Sequence, residues 1–361
     1  MNAVFRSDRF QSLLSQLRES RCEDSVTAWP EQQLQAMARA GVLAWDVPVK
    51  WGGVDLSPVD QLEGLRLLSS TSLVATFVLT QRSAAVRRVA TSDNQAARQH
   101  LLPGLLSGEI FATVGISHLT TSGQHLSKPL VQAESTSDGF LLSGTVPWAT
   151  GATKADFLVT GGTLPDGRQI LAAIPTDHSG IDVQPPVRLM ALNASQTGAV
   201  RLKNVPVGQD QLLHGPVAGV MQQGTGGGAG SLGTSALAIG ATTGTLRQMS
   251  AEVERRPDLA EFLRPLQSEC DELTAALRRA ATPSAGSGPS DTEQLRRRAN
   301  SLVIRSAQAW LAATKGAGYV AGHPAEQAVR ESMFFLVWSC PQPVLSANLR
   351  ELACVGSSES F

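Results

Sequence analysis

Trp148 and Thr150 stand two positions apart in the stretch FLLSGTVPWATG, residues 140–151, and set a flat indole beside a hydroxyl. On a β-strand, residues i and i+2 face the same side. An aromatic face with a hydrogen-bonding hydroxyl next to it suits a planar heteroaromatic ring. The same pair also suits a strand end buried in an ordinary core, and the residues alone leave both readings open. Phe140, Leu142 and Val146 read as strand, and Ser143-Gly144 reads as a tight bend between two arms.

Few other patterns carry a recognisable chemistry. Cys22, Cys270, Cys340 and Cys354 are scattered, and none pairs as CxxC. This argues against a zinc site or a disulfide framework and for a reducing compartment, so the expected location is cytoplasmic. There is no HExxH and no GxSxG, the signatures of zinc hydrolysis and of a serine nucleophile elbow. Gly224-x-Gly226-x-x-Ala229 fits the loose dinucleotide pattern, but no strand precedes it and no acidic residue follows where a ribose partner is needed. It reads as a flexible lead-in. With 30 basic and 31 acidic residues the chain has no charge field for nucleic acid or an anionic membrane. No apolar run approaches the roughly 18–20 residues that span a bilayer. MNAVFRSDRFQSLL at the N-terminus lacks a signal-peptide core.

The elements that must position these residues fall in three blocks. Residues 1–110 read as helices: Phe10, Leu13, Leu14 and Leu17 recur at helical spacing, and Pro30 and Gly41 bound a second run. Residues 111–222 change to short β-like runs separated by turns such as Ser137-Asp138-Gly139, which predicts a small sandwich or barrel rather than a Rossmann sheet. Residues 223–361 are helical again. Leu259, Phe262, Leu263, Leu266, Cys270, Leu273 and Leu277 predict one amphipathic face, TPSAGSGPS at 282–290 an exposed linker, and Lys315 to Tyr319 a helix break. Four helices with short connections predict an antiparallel bundle.

That order of blocks, with four local patterns, resembles the acyl-CoA dehydrogenase family over roughly residues 10–350. The patterns are GVLAWDVPVKWGG at 41–53, the stretch 139–151 itself, SQTGAVRLKNV at 195–205 followed by Pro206, and KGAGYVAGHPAEQAVR at 315–330. The resemblance implies an α+β architecture: an N-terminal helical domain, a central β-barrel or sandwich and a C-terminal four-helix bundle. It also implies FAD held between the β domain and the bundle, and a homodimer or homotetramer. Trp148 and Thr150 fall on the motif positions that meet the isoalloxazine ring, and Ser117 offers the hydroxyl of the next cofactor segment. Gly316 and Gly318 fall on the turn that lies near the adenosine half from a neighbouring subunit, and Arg256 on the segment that reaches the pyrophosphate.

The resemblance further implies oxidation of the Cα–Cβ bond of an acyl thioester, carried by coenzyme A or an acyl carrier protein, with a glutamate removing the α-proton. Here Ser339 occupies the usual place of that glutamate. The alternative place on the first bundle helix, Gly233-Thr234-Ser235-Ala236, has no carboxylate either. A serine has no basic form near neutral pH. Gln124 replaces a serine that usually contacts the cofactor, and His118 and His125 are the nearest candidates for a substitute base. The expectation is an FAD-dependent oxidoreductase with an atypical site. A flavin monooxygenase on the same fold, and a catalytically silent homologue that binds flavin or a partner, are the alternatives.

Overall fold

The computed structural model describes residues 2–120, 128–223, 232–282 and 289–355. Gln124, His125, residues 224–231 of the glycine-rich stretch and residues 283–288 of the linker lie outside them. In chain order the helices α1 (Ala3–Arg6), α2 (Asp8–Glu19), α3 (Glu31–Arg39), α4 (Pro58–Ser69), α5 (Leu73–Ala90) and α6 (Gln95–Ser107) come first. Strands β1 (Ala112–Val114), β2 (Val131–Ser135), β3 (Gly139–Ala149), β4 (Phe157–Thr163), β5 (Gln169–Pro175), β6 (Ile181–Val183), β7 (Gly198–Gly208) and β8 (Leu212–Val217) follow. Helices α7 (Leu232–Arg255), α8 (Ala260–Ala280), α9 (Pro289–Gly318), α10 (Pro324–Met333) and α11 (Gln342–Leu352) complete the order. Contacts divide the chain into two compact units, one of Met1–Glu19, Ser57–Thr76 and Ala229–Phe361, the other of Ser20–Leu56 and Phe77–Gly228.

The helical unit is built on α7, which packs against α4, α8 and α9. Gly240 and Gly244, one turn apart, share a face. A Cβ on Gly240 would run into the Arg66 carbonyl and Ser69, and one on Gly244 would meet the Ser70 carbonyl, so the two glycines let α4 lie directly on the α7 backbone. Ser69 Oγ donates to the Leu237 carbonyl (2.8 Å) and Arg247 to the Ser70 carbonyl (2.7 Å) across that seam. Glu63 is buried between Arg66 (2.8 Å) and Arg278 (3.1 Å). Burial pushes its pKa up, but the two guanidinium groups outweigh burial and hold it below the usual carboxylate value. On α8, Leu263, Cys270, Leu273 and Leu277 form the buried row. Phe262, read into that row from spacing, is 57% exposed. It lies about 80° around the helix from Cys270, whereas Leu263 lies about 20° away.

The other unit is organised by a single sheet with strand order β6-β7-β3-β2-β4-β5-β8, and β1 paired to β4. β4 runs parallel to β1 and β2; the other pairs are antiparallel. β4 and β5 are buried on both faces. Leu158, Ile170, Ala172 and Ile174 join one apolar cluster with Leu142, Val146, Val200 and Leu202. Val159, Leu171 and Ala173 join another with Val86 and Val89 of α5 and Leu101 and Leu105 of α6. Each strand alternates its side chains between the two layers, as its period of two requires.

The bend expected at Ser143-Gly144 is not there. β3 runs unbroken over Gly139–Ala149. Gly144 sits at φ +139° in a register shift against β7, where a Cβ would strike the Leu130 carbonyl. The glycine makes a bulge in one long strand, which the turn dipeptide concealed. Among the described residues no helix is long and apolar enough to cross a membrane.

Candidate functional site

β3 delivers the two residues of the opening motif to different surroundings. Trp148 is 52% exposed, while Thr150 is buried. The Thr150 hydroxyl lies 3.0 Å from Thr197 Oγ1, which lies 2.9 Å from Ser195 Oγ, and the Thr150 carbonyl accepts from Thr113 Oγ1 of β1 (2.7 Å). The i, i+2 rule for strands does not carry this pair, because β3 has a register slip between Val146 and Ala149 and stops at Ala149, one residue before Thr150. About half of the Trp148 surface stays exposed, and the Thr150 hydroxyl closes a small network of its own.

β1 leads through Gly115 and Ile116 into a short 3₁₀ turn, Ser117–Leu119, that packs on β3 and β4. Thr160 Oγ1 of β4 holds the Gly115 carbonyl at 2.6 Å. His118 Nε2 lies 2.9 Å from the Gly161 carbonyl oxygen. A carbonyl only accepts, so Nε2 carries the proton and Nδ1 of the neutral ring is a bare acceptor. Ser117 Oγ and His118 Nδ1 are both buried without a hydrogen-bond partner among the described residues. Nothing local encodes the His118–Gly161 bond, because the partners are 43 residues apart.

Burial holds His118 below its ordinary pKa, and burial together with Arg88 does the same to His214. The unfolded chain therefore takes up protons below about pH 6.5 that the folded chain refuses. Stability is expected to be full above that pH and to fall as pH drops through the folded values. Urea titrations at a series of pH values read the loss, and His118→Gln should remove about one proton from its slope.

In the helical unit, Ser339 lies in the segment between α10 and α11, with φ +46°. Arg296 of α9, 1% exposed, fixes the carbonyls just before it: Nη2 donates to Trp338 O (3.0 Å) and Phe335 O (3.4 Å), and Nε to Asn300 Oδ1 (2.9 Å). Asn300 Nδ2 donates to Phe335 O (3.0 Å) and Asn348 Oδ1 (3.3 Å). No carboxylate pairs with Arg296 among the described residues; burial pulls its pKa down to about 10, and the neighbouring Cys340 thiol pulls the other way. The run LRRR reads as solvated charge, and only the 3.6 period, which aligns Arg296 with Asn300, hints that one arginine turns inward. Arg256 donates to the Ala313 carbonyl (3.0 Å) and to Asp258 (3.2 Å). α9 breaks at Lys315, φ +54°; Gly316 is exposed and Gly318 is buried against Thr314.

Ser117, Trp148 and Thr150 thus lie in the sheet unit, and Arg256, Gly316, Gly318 and Ser339 in the helical unit. Residues 11–109 match the acyl-CoA dehydrogenase N-terminal domain. A solved glutaryl-coenzyme A dehydrogenase in complex with glutaryl-CoA superposes with a TM-score of 0.80 at 18% identity, covering 96% of each chain. This is an acyl-CoA dehydrogenase fold. FMN-bound TdsC from Paenibacillus sp. A11-2 shares that fold, with a TM-score of 0.77 at 17% identity over 98% of this chain and 96% of the other. Isobutylamine N-hydroxylase of Streptomyces viridifaciens is 30% identical over 193 residues, 50% of this chain and 49% of the relative. The chain therefore matches about half the length of that relative.

The sheet unit of this fold fits a flavin by its own chemistry. It offers a half-exposed indole at Trp148, and two polar atoms that lack partners among the described residues, Ser117 Oγ and His118 Nδ1, on a turn packed against the same strand. A buried polar group without a partner is costly, and a ligand's hydrogen bonds relieve that cost.

Proposed function

We propose that the chain is a flavin-dependent oxidoreductase that works without a carboxylate base, as a monooxygenase. Trp148 would cover a face of the isoalloxazine ring, and Ser117 would hydrogen-bond its edge. Thr150 would stand beside it, and Arg256 with the Gly316–Gly318 turn of a second copy of the chain would serve the rest of FAD. Bound flavin supplies a two-electron acceptor when oxidised and an activator of dioxygen when reduced.

The observation that carries this reading is the residue type at the two positions where the resemblance puts the base: neither is a carboxylate. A serine, Ser339, stands at the first, Thr234 and Ser235 lie at the second, and the buried Arg296 holds the Trp338 carbonyl just before Ser339. Proton abstraction next to a thioester needs an ionised base within reach. Oxygenation by reduced flavin does not need that carboxylate. The similarity to an amine N-hydroxylase over half the chain points the same way and makes a primary amine the first substrate class to test.

Dehydrogenation of an acyl thioester is the second reading, favoured by the match of residues 11–109 to the dehydrogenase N-terminal domain. Two assays separate the readings. Anaerobic glutaryl-CoA or isovaleryl-CoA should leave flavin-loaded protein yellow, whereas reduced flavin with isobutylamine and ¹⁸O₂ should give an N-hydroxylated product carrying label. Bleaching by either thioester would overturn the monooxygenase reading. Ser339→Glu puts a carboxylate where the resemblance expects one. It is expected to leave wild-type oxygenation reduced and to create bleaching by thioester where the wild type shows none, read as flavin absorbance in a stopped-flow cell.

A further inference from the structure

His118 is the polar group that the reading above leaves unused. It follows Ser117 directly on the 3₁₀ turn that packs on β3, the strand that carries Trp148. Its tautomer is set by the Gly161 carbonyl, so the atom left over is an acceptor and nothing else. That acceptor is buried and has no partner among the described residues. The strands beside it supply no charge: β1, β3 and β4 contain no Asp, Glu, Lys, Arg or His. The ring is therefore neutral, in keeping with the downward push that burial gives its pKa. A ligand that satisfies it must bring a donor.

An oxidised isoalloxazine ring has one hydrogen-bond donor, the imide N3–H, flanked by two carbonyl acceptors. Ser117 and His118 offer the complementary set, a hydroxyl that can donate and a bare nitrogen that can only accept. We propose that His118 Nδ1 accepts the hydrogen bond of the flavin imide N3–H, while the Ser117 hydroxyl serves a carbonyl next to it. This rests on the reading that the sheet unit holds flavin. It makes His118 a recognition residue for the oxidised ring and gives it no part in moving the substrate's proton. The bond also ties cofactor binding to protonation: an imidazolium presents N–H at Nδ1 and would repel N3–H. Flavin affinity should therefore fall as pH drops through the His118 titration.

The test uses FAD and 3-methyl-FAD, which differ by loss of that one donor, with affinity read from quenching of flavin fluorescence. Wild-type protein should bind FAD at least about tenfold more tightly than 3-methyl-FAD. His118→Gln keeps a donor for the Gly161 carbonyl but loses the acceptor at the Nδ1 position, and should bind the two flavins alike. His118→Asn, whose amide oxygen stands near the place of Nδ1, should recover part of the preference. In ¹⁵N-histidine-labelled wild type at about pH 7, Nδ1 should be unprotonated and its resonance should move on adding FAD. That measurement needs no variant to fold. Equal affinity of the wild type for both flavins, or a protonated Nδ1, overturns the inference while leaving flavin binding intact. Wild-type protein that takes up neither flavin overturns the flavin reading and this inference with it.

Discussion

Trp148→Ala is expected to weaken flavin binding about tenfold or more while leaving the folding free energy within about 0.5 kcal/mol of wild type. The two halves of that result come from one number. At 52% exposure the indole contributes little to the core, so truncation opens no cavity of consequence. The same exposure leaves its flat face available to a ring, and stacking with the burial of its apolar area is worth more than a tenfold change in affinity. Thr150 should behave in the opposite sense. Its hydroxyl is buried in the Thr197–Ser195 network, so Thr150→Val is expected to cost stability first. Urea titration and flavin titration of both variants read the contrast.

Arg296→Ala is expected to cost the helical unit about 3 kcal/mol or more. The side chain is fully buried, and its removal strips hydrogen bonds from Asn300 Oδ1 and the Trp338 carbonyl and one of the two from the Phe335 carbonyl. Each buried group left unpaired costs about 1–3 kcal/mol, and the cavity adds to it. Arg296→Met is expected to lose less, because it fills the volume and removes a buried charge that has no carboxylate partner. The order wild type, Met, Ala in urea midpoint distinguishes a packing and hydrogen-bonding role from a purely electrostatic one. Both variants should also free the segment before Ser339, read as faster amide exchange at residues 335–339.

The succession of helices, short strands and helices was legible because each block has its own period. Phe10, Leu13, Leu14 and Leu17 are all buried on α2, and Leu158, Ile170 and Ile174 are buried in the sheet as their runs implied. What failed was decided by backbone geometry or by distant partners. Ser143-Gly144 reads as a turn from its residue types, yet the β7 strand turns it into a bulge. Trp148 and Thr150 look like one strand pair, yet the strand ends between them and only Thr150 is buried. Gly240 and Gly244 look like weak helix positions, and their purpose is visible only once α4 lies against them. That a serine stands at 339, where the resemblance leads one to expect a carboxylate, could be read from the chain. The buried guanidinium of Arg296 and the fixed tautomer of His118 could not, because each is set by carbonyls about forty residues away.

The central claim is that this fold holds a flavin on the sheet unit. Its most direct test is to count flavin on the protein: incubate the purified chain with FAD, desalt it, and compare flavin absorbance with protein concentration. The account predicts about one FAD per wild-type chain and a clear loss in Trp148→Ala at unchanged stability. A folded wild-type chain that retains no flavin under conditions that load the fold's other members would contradict it.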